Sequence, residues 1–138
     1  MKIFIILILS AFASGIRLNK CTVMRKIRAS GLVGMKGYRL GDYMCVFYYT
    51  SYFDTRLNNS PTEYGLCQIA SKWWCDDGRT ARPRNLCGKK CSAFLNDDIT
   101  DDLQCVKRIV ADPNGLGAWR AWKTSCQGRN NYRFETGC

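Results

Sequence analysis

Nine cysteines in 138 residues, with no histidine anywhere, restrict this chain more than any other feature. In a cytosolic protein such a count would suggest metal or redox chemistry; in a short exported chain it reads as a disulfide framework. The spacings Cys87-x3-Cys91 and Cys75-x11-Cys87 match no familiar zinc pattern, and the usual imidazole ligands are missing. The N-terminus decides for export. Met1-Lys2 is followed by the apolar run Ile3 to Leu9 and then by Ala11, Ala13, Ser14 and Gly15, the order of a secretory leader. A membrane anchor would need about 20 apolar residues. The reading is therefore residues 1–15 as a signal peptide cleaved after Gly15, and residues 16–138 as one secreted, extracellular domain without a transmembrane segment. Spacing alone leaves the cysteine connectivity open.

Local signals sketch an α+β protein. Asn19 stands before Cys21, Met24 and Ile27, whose three-residue steps predict a first helix ending near Gly31. Gly31, Gly34 and Gly37 mark a loop. Asp42 to Tyr49 is nearly all apolar and predicts a buried helix. Phe53 to Gln68 is expected to hold a short hairpin broken by Asn58-Asn59-Ser60-Pro61. Asp76 to Lys90 is expected to be loop. Leu103, Val106, Ile109 and Val110 fall at helical spacing on a third long helix. Trp119 and Trp122 are expected to start another short one, with Trp122 in the core. The arrangement predicted is a helical lobe and a small β lobe flanking a cleft.

Lysine and arginine total 21 against 11 acids, a formal charge of +10 that loss of Lys2 with the leader lowers by one. Such a field draws a protein toward anionic surfaces. Arg79, Arg82, Arg84, Lys89 and Lys90 crowd the cysteine-rich loop, and Arg25, Lys26 and Arg28 the first helix. The plain alternative is that these residues only solvate a small secreted protein. No nucleic-acid module accompanies them, and nucleic acid is set aside as a partner.

Three segments carry a more specific signal: Asp42 to Thr55, Glu63 to Cys75, and Asn114-Gly115-Leu116-Gly117-Ala118-Trp119. Together with the cysteine pattern from Cys21 to Cys138 they resemble the c-type lysozyme/α-lactalbumin family, of glycoside hydrolase family 22 type. The resemblance implies the c-type lysozyme fold, with a small antiparallel β lobe and four disulfides: Cys21–Cys138, Cys45–Cys126, Cys75–Cys91 and Cys87–Cys105. Cys67 is then left over. Its readings are a buried thiol packing as a small hydrophobe or a bridge to a second chain, that is, a monomer or a dimer through Cys67.

The same resemblance locates a cleft whose chemistry is altered. Retaining glycosidases use two carboxyl groups, one as acid and one as nucleophile. Thr50 stands at the family's acid position and Glu63 at the second carboxylate, where the shorter Asp is usual. A hydroxyl is far too weak an acid to protonate a leaving alkoxide, and loss of a general acid costs roughly 10²–10⁴ in rate. The extra methylene of Glu63 displaces its carboxylate, which is costly in itself. The stretch between Thr55 and Glu63 is shorter than in typical lysozymes, and Ala70 replaces an asparagine that contacts an N-acetyl group. Gln68, Trp73, Trp74, Asp112, Ala118 and Trp119 match cleft-lining positions, with Trp73 expected to be exposed and to stack on a sugar.

The acidic run Asn96-Asp97-Asp98-Ile99-Thr100-Asp101-Asp102 is similar to the family's calcium loop. The resemblance places side-chain oxygens of Asn96, Asp101 and Asp102 and backbone carbonyls of Ala93 and Asp98 on the ion. Asn96 replaces the usual Asp, so affinity is expected to be weakened. The competing reading is an acidic helix start favoured by the helix dipole. Three functions remain open. The first is a catalytically silent, calcium-binding, lysozyme-like antimicrobial or glycan-binding protein, directed to N-acetylated glycans, peptidoglycan or anionic microbial surfaces. The second is an active peptidoglycan muramidase using Glu63. The third is an α-lactalbumin-like regulatory subunit of a galactosyltransferase.

Overall fold

A computed structural model describes residues 16–138; the expected leader, residues 1–15, lies outside the described residues. Helix α1, Lys20–Ser30, starts where Asn19 Oδ1 accepts from the Cys21 N–H at 2.8 Å and stops where Gly31 turns left-handed at φ 85°. It buries Val23, Met24 and Ile27. Of the glycine-marked loop that follows, Met35–Gly37 forms a short 3₁₀ turn.

Helix α2, Leu40–Ser51, runs two residues further at each end than the apolar run Asp42 to Tyr49 suggests. The Asp42 carboxylate accepts from the Arg39 N–H at 2.8 Å and from Asn131 Nδ2 at 2.9 Å, which fixes the N-terminus. Tyr52 and Phe53, both at positive φ, end the helix. Tyr43, Met44, Cys45, Val46 and Phe47 are fully buried at the centre of the core. Burial pushes the Tyr43 phenol well above its ordinary range, and its hydroxyl donates to the Leu32 carbonyl at 2.8 Å.

The β lobe differs in detail from the sequence reading. Strand β1, Glu63–Tyr64, pairs antiparallel with β2, Ile69–Ala70, so the hairpin turns at Gly65 to Gln68 and not at Asn58 to Pro61. The reason is local. Asn58 Nδ2 donates to the carbonyls of Ser60 and Glu63 and closes the earlier segment as a side-chain-stapled loop. Gly65 and Gln68 meanwhile take the positive φ values that a tight turn needs. The segment Asp76 to Lys90 is loop only in its middle. Its ends join a short parallel pair, β3 Cys75–Asp76 with β4 Lys89–Lys90.

Helix α3, Thr100–Val110, buries Leu103, Val106, Ile109 and Val110 as its spacing predicts, and with them the carboxylate of Asp102. Beyond it, Gly115–Ala118 is a 3₁₀ turn. Trp119 is extended and precedes the final helical segment instead of starting it. That segment widens into a π turn over Trp122–Cys126, where Trp122 is only partly buried. A last 3₁₀ turn spans Tyr132–Glu135.

Four disulfides hold these pieces: Cys21–Cys138, Cys45–Cys126, Cys75–Cys91 and Cys87–Cys105. They are the pairs that the family resemblance implies. Cys67 is free and fully buried. That placement fits the buried-thiol reading of Cys67, whose sulfur is not at the surface of the folded chain. Among the described residues no helix is long and apolar enough to cross a membrane.

Candidate functional site

A cavity of about 600 Å³ lies between the lobes. Helix α2 supplies Tyr49 and Thr50, the hairpin Glu63, Gln68, Ile69 and Ala70, and the chain after α3 contributes Ala118, Trp119 and Arg120. Thr50 is half-buried in this wall, and no hydrogen bond from its hydroxyl is formed among the described residues. Glu63 is exposed and is the only carboxylate among the described lining residues; Arg120 is the only cation among them. Across the hairpin Glu63 sits opposite Ala70, so no polar partner orients its side chain from the facing strand.

Trp119 is wall and core together. It is 6 % exposed, its indole N–H donates to the Cys67 carbonyl at 2.6 Å, and its ring meets Phe47 edge-on at 5.9 Å. Trp119 and Thr50 thus line one cavity, and the side chain at position 50 offers it a hydroxyl. Trp74 likewise lines the cavity from a largely buried position. Gln68 lines it too, yet its amide N–H groups are spent internally, donating to the carbonyls of Leu57 at 2.7 Å and Gly65 at 2.8 Å. Gln68 thus holds the hairpin turn through its N–H groups, while its Oε1 makes no hydrogen bond among the described residues.

Two expected cleft residues are not part of the cavity lining itself. The Asp112 carboxylate is outside the cavity lining, held by Arg108 Nη1 at 2.7 Å one helical turn away. Trp73 also falls outside the lining and next to Trp74, 40 % exposed, with Arg84 Cζ 5.0 Å and Lys72 Nζ 5.3 Å from its ring centre. Its expected exposure is present, and two cations now accompany it. Arg120, Asn59, Thr124 and Ser125 line the cavity without having been singled out in the sequence. The first follows Trp119 directly and could have been found from that adjacency; the others carry no local signal.

The acidic loop behind the hairpin presents a second arrangement. Asp102 is fully buried, and neither carboxylate oxygen has a hydrogen-bond partner. Desolvation, followed by the neighbouring Asp101, pushes its pKa up to about 9. A buried carboxylate left without partners is costly, and a cation is the natural partner for it. Asp101 Oδ1 accepts from the Asp102 N–H at 3.0 Å, and Asn96 Oδ1 from the Asp98 N–H at 3.0 Å. Asp98 is held below its usual range by hydrogen bonds from Thr100.

No three acidic or thiol side chains gather at one point among the described residues. A site built from two carboxylates, one amide and two backbone carbonyls would not bring three together, so the donor set remains compatible with calcium's preference for oxygen. Gly65 links this loop to the cleft. Its φ is +79°, and a Cβ there would meet the Phe94 carbonyl at 2.0 Å and Asp102 Oδ2 at 3.1 Å.

The family model described as C-type lysozyme/alpha-lactalbumin matches residues 16–138. Lysozyme C-1 of Mus musculus is 41 % identical over 138 residues, covering 96 % of this chain and 93 % of that protein. Lysozyme C II of Oncorhynchus mykiss is 39 % identical over 142 residues, covering 100 % of this chain and 99 % of the relative. The milk isozyme of Bos taurus lysozyme C is 39 % identical over 138 residues, at 96 % and 93 % coverage. With its helical lobe, small β lobe, intervening cleft and four disulfides, the chain belongs to the C-type lysozyme/alpha-lactalbumin family and has its fold.

Proposed function

We propose that this chain is a secreted, calcium-binding member of the family that binds N-acetylated glycans or anionic microbial surfaces without cleaving the glycosidic bond. The observation that carries the reading is the composition of the cleft: one carboxylate, Glu63, and a threonine where the acid is required. Glycoside cleavage in this family's manner needs a proton delivered to the leaving oxygen while a second carboxylate meets the anomeric carbon. Glu63 can serve one of those roles. Nothing else lining the cavity can give up a proton near neutral pH to serve the other, because the remaining side chains are hydroxyls, amides, indoles, apolar groups and one guanidinium. Trp74, Trp119 and Ala118 still provide an apolar wall of the size a sugar chain occupies.

Calcium belongs to the same proposal. Asp102, Asp101 and Asn96 would hold the ion with their side-chain oxygens, and Ala93 and Asp98 with backbone carbonyls. The support for this is the unpartnered buried carboxylate of Asp102. The ion would act structurally: it would neutralise Asp102 and fix the loop on which Gly65 and the hairpin rest. Secretion rests on the leader-like residues 1–15 and on four disulfides, which persist in oxidising compartments.

Clearing of a peptidoglycan suspension tests the central claim. The expected result is no clearing by the mature protein, alongside binding of N-acetylglucosamine oligomers. The rival reading, a muramidase using Glu63, is favoured by the lysozyme C names of the relatives. It wins if clearing occurs at an ordinary lysozyme rate and is lost in Glu63→Gln.

A further inference from the structure

A second cavity, of about 470 Å³, opens on the other side of Tyr49 from the cleft. Its walls are aromatic: Tyr48, Tyr52 and Phe53 from the end of α2 and Phe134 from the C-terminal turn. The Tyr48 ring lies 4.9 Å from Tyr52, 5.5 Å from Phe134 and 6.1 Å from Phe53, tilted or edge-on to each. Tyr49 and Tyr52 remain 47 % and 48 % exposed, unusual for rings already gathered in a cluster.

The rim is cationic. Arg17, Lys20 and Arg133 line the cavity, and among the described residues no acid does. The guanidinium of Arg17 sits 3.6 Å over the Tyr52 ring, and that of Arg133 sits 4.7 Å over Phe134 and donates to the Tyr49 hydroxyl at 3.4 Å. Lys20 Nζ donates to the Thr136 carbonyl. The ion pairs among the described residues are Arg56–Asp97 and Arg108–Asp112, so none of the three rim cations is neutralised. The nearby Asp54 carboxylate is turned to the Arg56 N–H.

We propose that this cavity is a binding site for a compact aromatic carboxylate, a flat ring system bearing one negative group. The aromatic walls offer edges and faces to a ring, contacts that an aliphatic chain makes less well. The rim offers unpaired guanidinium groups, whose fork geometry suits a carboxylate. A neutral arene would forgo the charge-assisted hydrogen bonds, and a cation would be repelled. The site is independent of the glycan reading, since it shares only Tyr49 with the cleft.

The test is titration of the mature protein with 2-naphthoate, followed by calorimetry and by NMR of the aromatic side chains. Saturable one-to-one binding is expected, with shifts at Tyr48, Tyr52 and Phe134. The Arg17→Gln/Arg133→Gln double variant should weaken it by about tenfold or more. Both residues are exposed, so the variant should keep the native circular dichroism. An Arg25→Gln/Arg28→Gln double variant, which removes the same charge from exposed positions on α1, should bind as the parent does. Octanoate and 2-naphthol should each bind more weakly than 2-naphthoate. The proposal is overturned by absence of saturable binding, by equal losses in the two double variants, by shifts confined to the cleft tryptophans, or by 2-naphthol binding as tightly as the acid.

Discussion

Thr50 and Glu63 are the two cleft side chains on which the proposed absence of cleavage turns. The first prediction is that Thr50→Glu alone restores little turnover, because Ala70 faces Glu63 across the hairpin and leaves its carboxylate without an orienting partner. Recovery to within about tenfold of an ordinary lysozyme, measured by peptidoglycan clearing, would show that position 50 is the sole defect. The second concerns Trp73, exposed between Lys72 and Arg84. Trp73→Ala should abolish most of the fluorescence change produced by N-acetylglucosamine oligomers while leaving the melting temperature unchanged. That Thr50 and Glu63 face one cleft was legible in the sequence, because both fall within recognisable segments. Asp112 was not, since its partner Arg108 is chosen by helical geometry that a motif match ignores. Gln68 lines the cavity, as its match to a cleft position implies, but that its amide N–H groups also hold the turn was not readable from residue type.

At the scale of elements, the hairpin turn and the start of α3 behave as one unit. A Cβ at Gly65 would run into the Phe94 carbonyl and crowd Asp102, and Gly65→Ala should destabilise the fold by about 2 kcal/mol or more, through a backbone clash and an unfavourable positive φ together. Thermal unfolding measures it, and a loss under about 0.5 kcal/mol would contradict the packing described. Calcium should raise the melting temperature by mass action, by about 2.7 kcal/mol of stability at a hundredfold excess over Kd. Without calcium the pH dependence follows from Asp102. Its folded pKa of about 9 lies above the carboxylate's ordinary value, so between the two the folded state holds the extra proton. Stability of the chelated protein should therefore fall as pH rises from about 4 toward 9. Asp102→Asn should remove both this slope and the response to calcium. A calcium-independent melting curve would leave the acidic run as a helix start alone. Helices were readable from spacing and caps, as Asn19, Gly31 and the apolar face of α3 illustrate. The hairpin was not, because Asn58 to Pro61 has the composition of a turn and only the tertiary contacts of Gly65 show where the chain reverses.

For the whole molecule, the formal charge of +10 is carried mainly on exposed side chains, among them Arg79, Arg82 and Arg84. Adhesion to anionic vesicles or bacterial walls should weaken steeply between low and physiological salt, because exposed charges are screened within about 8–10 Å. Oligosaccharide binding in the cleft should be much less sensitive. Equal salt dependence of the two, compared by co-sedimentation and fluorescence titration, would place both on the basic surface. The fold class, the cleft and the disulfide pairs were foreseeable at this scale from the family resemblance; the second, aromatic cavity was not, because its walls come from the two ends of the chain and the end of α2.

The disulfide framework has a consequence for how damage to this molecule would be seen. Arg79 and Arg84 are exposed on the segment between Cys75 and Cys87. A protease cutting after either would separate two fragments that Cys21–Cys138, Cys45–Cys126 and Cys75–Cys91 still tie together. The severed chain would keep its mass, differing by one water, and would migrate as intact on a gel run without reductant. Only reduction would release the pieces, so a preparation judged whole by size could already be two polypeptides sharing one fold.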